Sequence, residues 1–436
     1  MPIDALVGTV VELTVGAVAH GGHCVARLDG RVVFVRHTLP GELVRARITE
    51  GSATAKYLRA DAVEILRAAP DRVPAPCPAS GPGACGGCDW QHASLSAQRT
   101  LKAAVVSEQL SRLAGLELDV VVEALPGSAD GLGWRTRVQH GVDDQARLGY
   151  RRHRSHDVLA VDACPITHQD VARTGHLRAR WPGTTGVEVV APAGGDQRLV
   201  VVTPAAEAKR RTKIPDVDAS VAIAAPIRGD GQLTRVSGRT WVREQVTVGD
   251  WQREFRVTGT GFWQVHPAAA ATLVGAVLDQ LDPQPGERAL DLYCGVGLFA
   301  AALGDRVGPT GWVAAVEGDA RAVADARRNL HDLPNVRLHQ GSVGLVLAQA
   351  LAGLPGGGAD VVVLDPPRVG AGRAVVEALC AAGPRAICYV ACDPAALARD
   401  VQIAGAQGYR LGALRAFDAF PMTHHVECVA LLTRPG

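Results

Sequence analysis

No window of this chain approaches eighteen uninterrupted apolar residues, so no membrane-spanning helix is expected. Met1-Pro2-Ile3-Asp4 has neither a basic n-region nor an apolar h-region, which argues against a signal peptide and for a cytoplasmic protein. An excess of one charge sign is missing too: 45 lysines and arginines meet 44 aspartates and glutamates. The total charge therefore does not announce a nucleic-acid partner, and any grip on phosphate must come from a local basic surface. Two runs qualify, Arg151-Arg152-His153-Arg154 and Lys209-Arg210-Arg211-Thr212-Lys213, although runs of this length are usually solvated faces. Repeats and low-complexity tracts are absent. What is present is a 47% hydrophobic chain of 436 residues, enough for two or three folded domains.

Ten cysteines in a chain of this kind do not read as a disulfide framework. Cys24, Cys294, Cys380, Cys388 and Cys428 lie in or beside apolar runs, where a free thiol behaves as a small buried hydrophobe. Cys77, Cys85, Cys88, Cys164 and Cys392 do not fit that description.

Residues 7–66 alternate in the strand manner around a Gly21-Gly22 turn and Pro40-Gly41-Glu42, the pattern of a small antiparallel barrel. Prolines between 70 and 82 mark a break, and Leu95, Ala103, Val106, Leu110 and Leu113 then follow helical spacing. Strand patterns return from about 125 to 255. From 287 onward strands and helices alternate, which predicts an α/β, doubly wound, methyltransferase-type sheet. Its seven strands are expected at 288–293, 312–316, 336–339, 360–364, 386–390, 411–417 and 426–432, the last two forming an antiparallel hairpin. The expected domains are 1–66, a β-rich 67–255 and a catalytic 256–436.

The first strand of the catalytic part runs into Asp291-Leu292-Tyr293-Cys294-Gly295-Val296-Gly297, whose glycines let the backbone approach a ligand closely. Glu317 ends the second strand, where an acid can accept the ribose hydroxyls of a nucleoside cofactor. The third glycine of the dinucleotide fingerprint is missing, since position 300 is alanine. S-adenosylmethionine has no phosphate and needs no such cradle, so the loop favours a methyl donor over a dinucleotide. Upstream, Cys77, Cys85-Gly86-Gly87-Cys88 and Cys164-Pro165 offer four thiolates for an iron–sulfur cluster or zinc. Cys392, between a strand and Asp393-Pro394, stands where a helix N-terminus lowers a thiol pKa. Asp365 and Glu427 end or begin strands on the same sheet edge.

With these residues assembled, the chain resembles the RNA 5-methyluridine (uracil-C5) methyltransferases, in the branch that carries an iron–sulfur cluster and a TRAM domain. The resemblance rests on Gly261-Phe262-Trp263-Gln264-Val265, the Asp291 to Gly295 run, Asp365-Pro366-Pro367-Arg368, Tyr389 to Pro394 with Leu397 to Asp400, and Phe420 to Glu427. It covers nearly the whole chain and includes the cysteine segments. It implies a Cys392 nucleophile that adds to C6 of uracil and a Glu427 base that removes the C5 proton. It implies cofactor contacts from Gln264, Tyr293, Gly295, Glu317 and Asp365, and a 4Fe–4S cluster on Cys77, Cys85, Cys88 and Cys164. It implies RNA as partner, ribosomal in preference to transfer RNA, gripped by the barrel and by Tyr150 to Arg154, and a monomeric enzyme. It also implies that the helix within 93–124 packs on the catalytic domain. Leu298, His266 and Ser342 depart from the family pattern and put single cofactor contacts in doubt. The rival readings are methylation of another nucleobase or of protein, and a non-catalytic RNA-binding or redox-sensing protein on a methyltransferase fold.

Overall fold

The structure, a computed structural model, describes residues 6–52, 54–206, 212–224 and 233–434. Lys209, Arg210 and Arg211 of the second basic run lie outside the described residues. Among the described residues no helix is long and apolar enough to cross a membrane.

The N-terminal strands are Val10–Thr14, Cys24–Leu28, Arg31–Arg36, Leu43–Glu50 and Tyr57–Arg67, with sheet order first, fourth, fifth, third, second. The sheet curls on itself, because Gly16 N donates to Val25 O at 2.7 Å and Val25 N donates to Ala17 O at 2.8 Å. One ladder departs from the antiparallel expectation: Arg31–Arg36 and Tyr57–Arg67 run parallel. The intervening strand Leu43–Glu50 carries the chain back to the same end, so its successor must run the same way as its predecessor. Leu13, Val33, Val35, Val44 and Leu58 fill the interior.

A seven-stranded mixed sheet between Arg137 and Ser237 forms the central layer. The hairpin that follows, Trp241–Val248 and Trp251–Thr258, packs Val242, Val246, Phe255 and Val257 into the same core as helix Ala269–Leu281. The core is therefore continuous across the division at 255/256 expected from sequence.

All seven expected catalytic strands form: Arg288–Leu292, Trp312–Glu317, Val336–Gln340, Val361–Leu364, Ala386–Ala391, Arg410–Asp418 and Glu427–Thr433. Their order is third, second, first, fourth, fifth, seventh, sixth, and only the seventh is antiparallel to its neighbours. An eighth strand was not expected. Val122–Ala124, far upstream, pairs parallel with Arg410–Asp418 and covers that edge, which would otherwise present unpaired backbone groups.

Helix Leu95–Gln109 starts at Ser94, whose side chain accepts from Ala97 N. It is buried on both sides. Ala97, Leu101 and Val105, four residues apart, join the barrel core, while Val106 and Leu110 join the catalytic core. The helix thus packs on the catalytic strands as well as on the barrel. Between its two apolar stripes stand Gln98 and Lys102, both fully buried. Lys102 Nζ reaches Asp418 Oδ1 at 2.5 Å and Phe420 O at 3.0 Å. Burial lowers the Lys102 pKa, and Asp418 opposes that shift. Removing one member of such a pair strands a buried charge. Lys102→Ala should cost about 3–5 kcal/mol in urea unfolding, and Lys102→Met with Asp418→Leu should recover most of it. A single variant as stable as the parent protein would remove this pair from the framework.

Candidate active site

The cofactor end is built from the turn after Arg288–Leu292. Tyr293, Gly295 and Gly297 all hold positive φ (63°, 56° and 93°), so the chain doubles back sharply before helix Leu298–Val307. A Cβ placed on Gly295 would meet no atom within 4 Å, so the loop faces open space. Glu317 closes it from the second strand: its carboxylate accepts from Gly295 N at 2.8 Å and from Asp319 N at 2.7 Å. Two carboxylate oxygens offer about four acceptor sites, so capacity remains for a ligand's hydroxyls. Behind the loop, Asp291 is fully buried and neither oxygen has a hydrogen-bond partner. Burial raises its pKa well above the usual carboxylate range, and Asp365 and Glu317 add to the rise.

Of the departures noted in the sequence, Leu298 and His266 are packed in the interior and Ser342 is not. Leu298 is buried at the first turn of its helix. His266 stacks on Trp134, accepts from Ala268 N at 3.2 Å and pairs with Ser128 at 2.9 Å through its other nitrogen. Burial takes its pKa down to about 4, so it is a neutral core residue. Ser342 is the exposed residue before helix Val343–Ala352 and makes no side-chain cap. Gln264 is buried on the wall of a cavity shared with Trp263, Thr136 and Arg243, between the central sheet and the catalytic domain.

Cys392 follows strand Ala386–Ala391 and lines a pocket with His20, Gly22, Arg368, His424 and His425. Asp365 and Glu427 lie close enough to act on its thiol electrostatically. The sequence brought these three residues to one sheet edge, and the structure gathers them there. The expected lowering of the thiol pKa does not occur. Burial, then Glu427 and Asp365, push Cys392 up to about 12, with only Arg368 among the leading influences opposing. The helix N-terminus does not help because Asp393 already occupies it, accepting from Ala396 N at 2.8 Å and from His20 at 3.1 Å.

The carboxylates are perturbed in the same sense. Burial pushes Asp365 up to about 7, and burial with Asp365 raises Glu427 well above its ordinary value. Burial thus works against the charged form of Asp365, Glu427 and Cys392 alike. His20, Arg368 and Asp291 were not singled out from sequence. Arg368 and Asp291 stood inside quoted motifs, whereas nothing in sequence signalled that His20, on the barrel, reaches Asp393.

The upstream cysteines also come together. Cys77, Cys85, Cys88 and Cys164 line one cavity with Arg135 and Tyr150. Burial raises Cys77, Cys85 and Cys88, the last to about 12, and neighbouring thiols add to each rise. Among the described residues, no three His, Cys, Asp or Glu side chains converge tightly enough to hold a single metal ion. The nearby basic run braces this loop: Arg152 donates to Gly83 O, Gly86 N donates to Arg151 O at 3.1 Å, and Arg154 pairs with Glu50 at 2.8 Å.

Comparison with known proteins matches residues 4–63 to the TRAM domain, 270–387 to the methyltransferase small domain and 357–435 to the tRNA (Uracil-5-)-methyltransferase model. An uncharacterized RNA methyltransferase of Streptomyces coelicolor is 52% identical, over 98% of this chain and 93% of that protein. The 23S rRNA (uracil(1939)-C(5))-methyltransferase of Pseudomonas putida is 34% identical, over 98% and 94%. In fold, the chain resembles the Pyrococcus abyssi tRNA (uracil-54, C5)-methyltransferase solved with S-adenosyl-L-homocysteine, with TM-score 0.70, 24% identity, and coverage of 97% and 99%. The fold and site therefore define an S-adenosylmethionine-dependent methyltransferase that carries an RNA-binding barrel. More particularly, the chain belongs to the RNA uracil-C5 methyltransferase family.

The raised Asp365 carboxyl has a measurable consequence. Between its unfolded value of 3.8 and its folded value of about 7, the native protein keeps a proton that the unfolded chain releases. That component of stability falls as pH rises through this window. Asp365→Asn cannot ionise, so its Tm relative to the parent protein should climb between pH 4 and pH 7.5. A difference that stays constant across this range would show that Asp365 is already ionised in the folded protein.

Proposed function

We propose that the protein methylates C5 of a uridine in ribosomal RNA, with Cys392 as nucleophile and Glu427 as base. The supporting observation is that Cys392 shares a pocket with Arg368, with Asp365 and Glu427 close enough to act on its thiol. Uracil C5 is a poor nucleophile. Addition of the Cys392 sulfur to C6 turns C5 into an enolate carbon, which is covalent catalysis. The bound donor supplies an electrophilic methyl group on a sulfonium. Glu427 then takes the C5 proton, and its electron pair re-forms the C5–C6 double bond as the Cys392 thiolate departs.

The electrostatics fit this order. Burial, Glu427 and Asp365 oppose ionisation of Cys392, and Arg368 favours its thiolate. A cation among Asp365, Glu427 and Asp291 favours ionisation of each acid in turn. The glycine loop with Tyr293, Gly295 and Glu317 would hold the nucleoside part of the donor, and Gln264 and Asp365 the remainder. A base removed from its stack enters through the mouth between the barrel and residues 424–425.

Ribosomal RNA is favoured by the Pseudomonas putida relative, which is named for that substrate. Transfer RNA is the alternative, and mapping 5-methyluridine in both RNA pools of a deletion strain separates them. A monomer acting in the cytoplasm belongs to the same reading.

The four upstream thiols fit a 4Fe–4S cluster better than zinc. A cubane takes one thiolate per iron and so spreads its ligands more widely than a single ion does. We assign it a structural role, because methyl transfer moves no electrons. Protein purified without oxygen should be brown, with iron and sulfide each near ~4 per chain; stoichiometric zinc without iron would overturn the assignment.

The nucleophile is tested with RNA carrying 5-fluorouridine, whose fluorine cannot leave as a proton. A Cys392-dependent band should shift on a denaturing gel, and no shift with confirmed target RNA would sink the role of Cys392. Glu427→Gln should trap the same adduct on ordinary uridine, since proton loss comes last.

A further inference from the structure

Met422, shortly before Glu427 on the loop joining the last two strands, holds a φ of 69°. A non-glycine residue keeps this conformation only when its surroundings impose it. Here they do so completely. Met422 N donates to Gln98 Oε1 at 2.7 Å, and Met422 O accepts from both Asp89 N and Trp90 N at 3.0 Å. Further along, Asp89 Oδ2 accepts from His424 N at 3.2 Å and lies 2.6 Å from His424 Nδ1. Trp90 is itself fixed, 1% exposed with Nε1 donating to Gly22 O at 3.0 Å.

The loop leading to Glu427 is thus held by the segment directly after Cys88 and by helix Leu95–Gln109. Glu427 itself opens strand Glu427–Thr433 opposite Phe417, and the next residue, Cys428, pairs with Ala391, the residue before Cys392. Cys392 follows that central strand and precedes the capped helix Pro394–Ala406. The two reacting groups share the sheet, and the approach to Glu427 carries an additional hold from outside it.

We propose that Asp89 is a positioning residue for Glu427, setting the proton-removal step without contributing to attack by Cys392. This rests on the roles given to Cys392 and Glu427 above. When Glu427 is displaced, the C6–S bond forms and the methyl group reaches C5. The C5 proton then has no acceptor, so the electron pair that would expel the thiolate is not released. The enzyme stalls as a covalent, methylated adduct.

The test uses full-length, cluster-loaded Asp89→Ala with ordinary target RNA and methyl donor. Turnover should fall by about ten- to a hundredfold, short of the full loss expected for a missing base. Adduct on ordinary uridine should accumulate on a denaturing gel, while the rate of 5-fluorouridine adduct formation stays near that of the parent protein. Asp89→Asn should restore turnover, because its amide oxygen accepts the bond from His424 N. Equal losses in turnover and in fluorouridine trapping, or no loss in either, would overturn the proposal. If Asp89→Ala does not retain iron, Gln98→Ala carries the test, since it frees Met422 N while leaving the Asp89 bonds to His424 in place, and the same split is expected. Absence of a fluorouridine adduct with the parent protein would instead refute the roles of the reacting groups themselves.

Discussion

The catalytic end depends on one constraint: the loop from Asp418 to Glu427 satisfies only part of its backbone hydrogen bonding within itself. Its backbone hydrogen bonds are completed from outside, by Lys102 on Phe420 O, Gln98 on Met422 N, and the Asp89 and Trp90 amides on Met422 O. Buried backbone groups have to find partners somewhere, and here they find them on residues more than three hundred positions earlier. The barrel, the cysteine segment and the catalytic sheet are joined around that loop. The helix at Leu95–Gln109 is the strut, with one apolar stripe for each neighbour.

The site is acidic in composition, and burial works against ionisation throughout it. Asp291, Asp365 and Glu427 are each raised by burial, and Cys392 is raised with them. A cationic ligand bound beside these acids would favour their ionised forms.

The catalytic sheet was legible because buried parallel strands read as continuous apolar runs, and each expected strand lies within two residues of an observed one. Val122–Ala124 was not legible: three residues carry no periodicity, and its pairing is decided by a distant edge. The parallel ladder in the barrel escaped for a similar reason, since alternation reveals strands but not their direction. Cys392, Asp365 and Glu427 could be placed at one edge by counting strands. The sign of the thiol shift could not, because it depends on burial and on carboxylates that only the fold brings near. Arg152 and Arg154, a charge run that suggested RNA, make contacts with Gly83 and Glu50 that the sequence did not reveal.

The pairing of Val122–Ala124 with Arg410–Asp418 has a consequence for how the chain is made. The early segment leaves the ribosome long before its partner strand exists. At about 5–20 residues per second, the interval is roughly 15–60 seconds. Throughout it, the side of the helix carrying Gln98, Lys102, Val106 and Leu110 has nothing to cover it. The barrel can mature early on local contacts, whereas the loop bearing Glu427 can be set only after the whole sheet has assembled. Catalytic competence is thus the last property the nascent chain acquires, and a truncated product would display an apolar, partly charged helix face of the kind that chaperones retain.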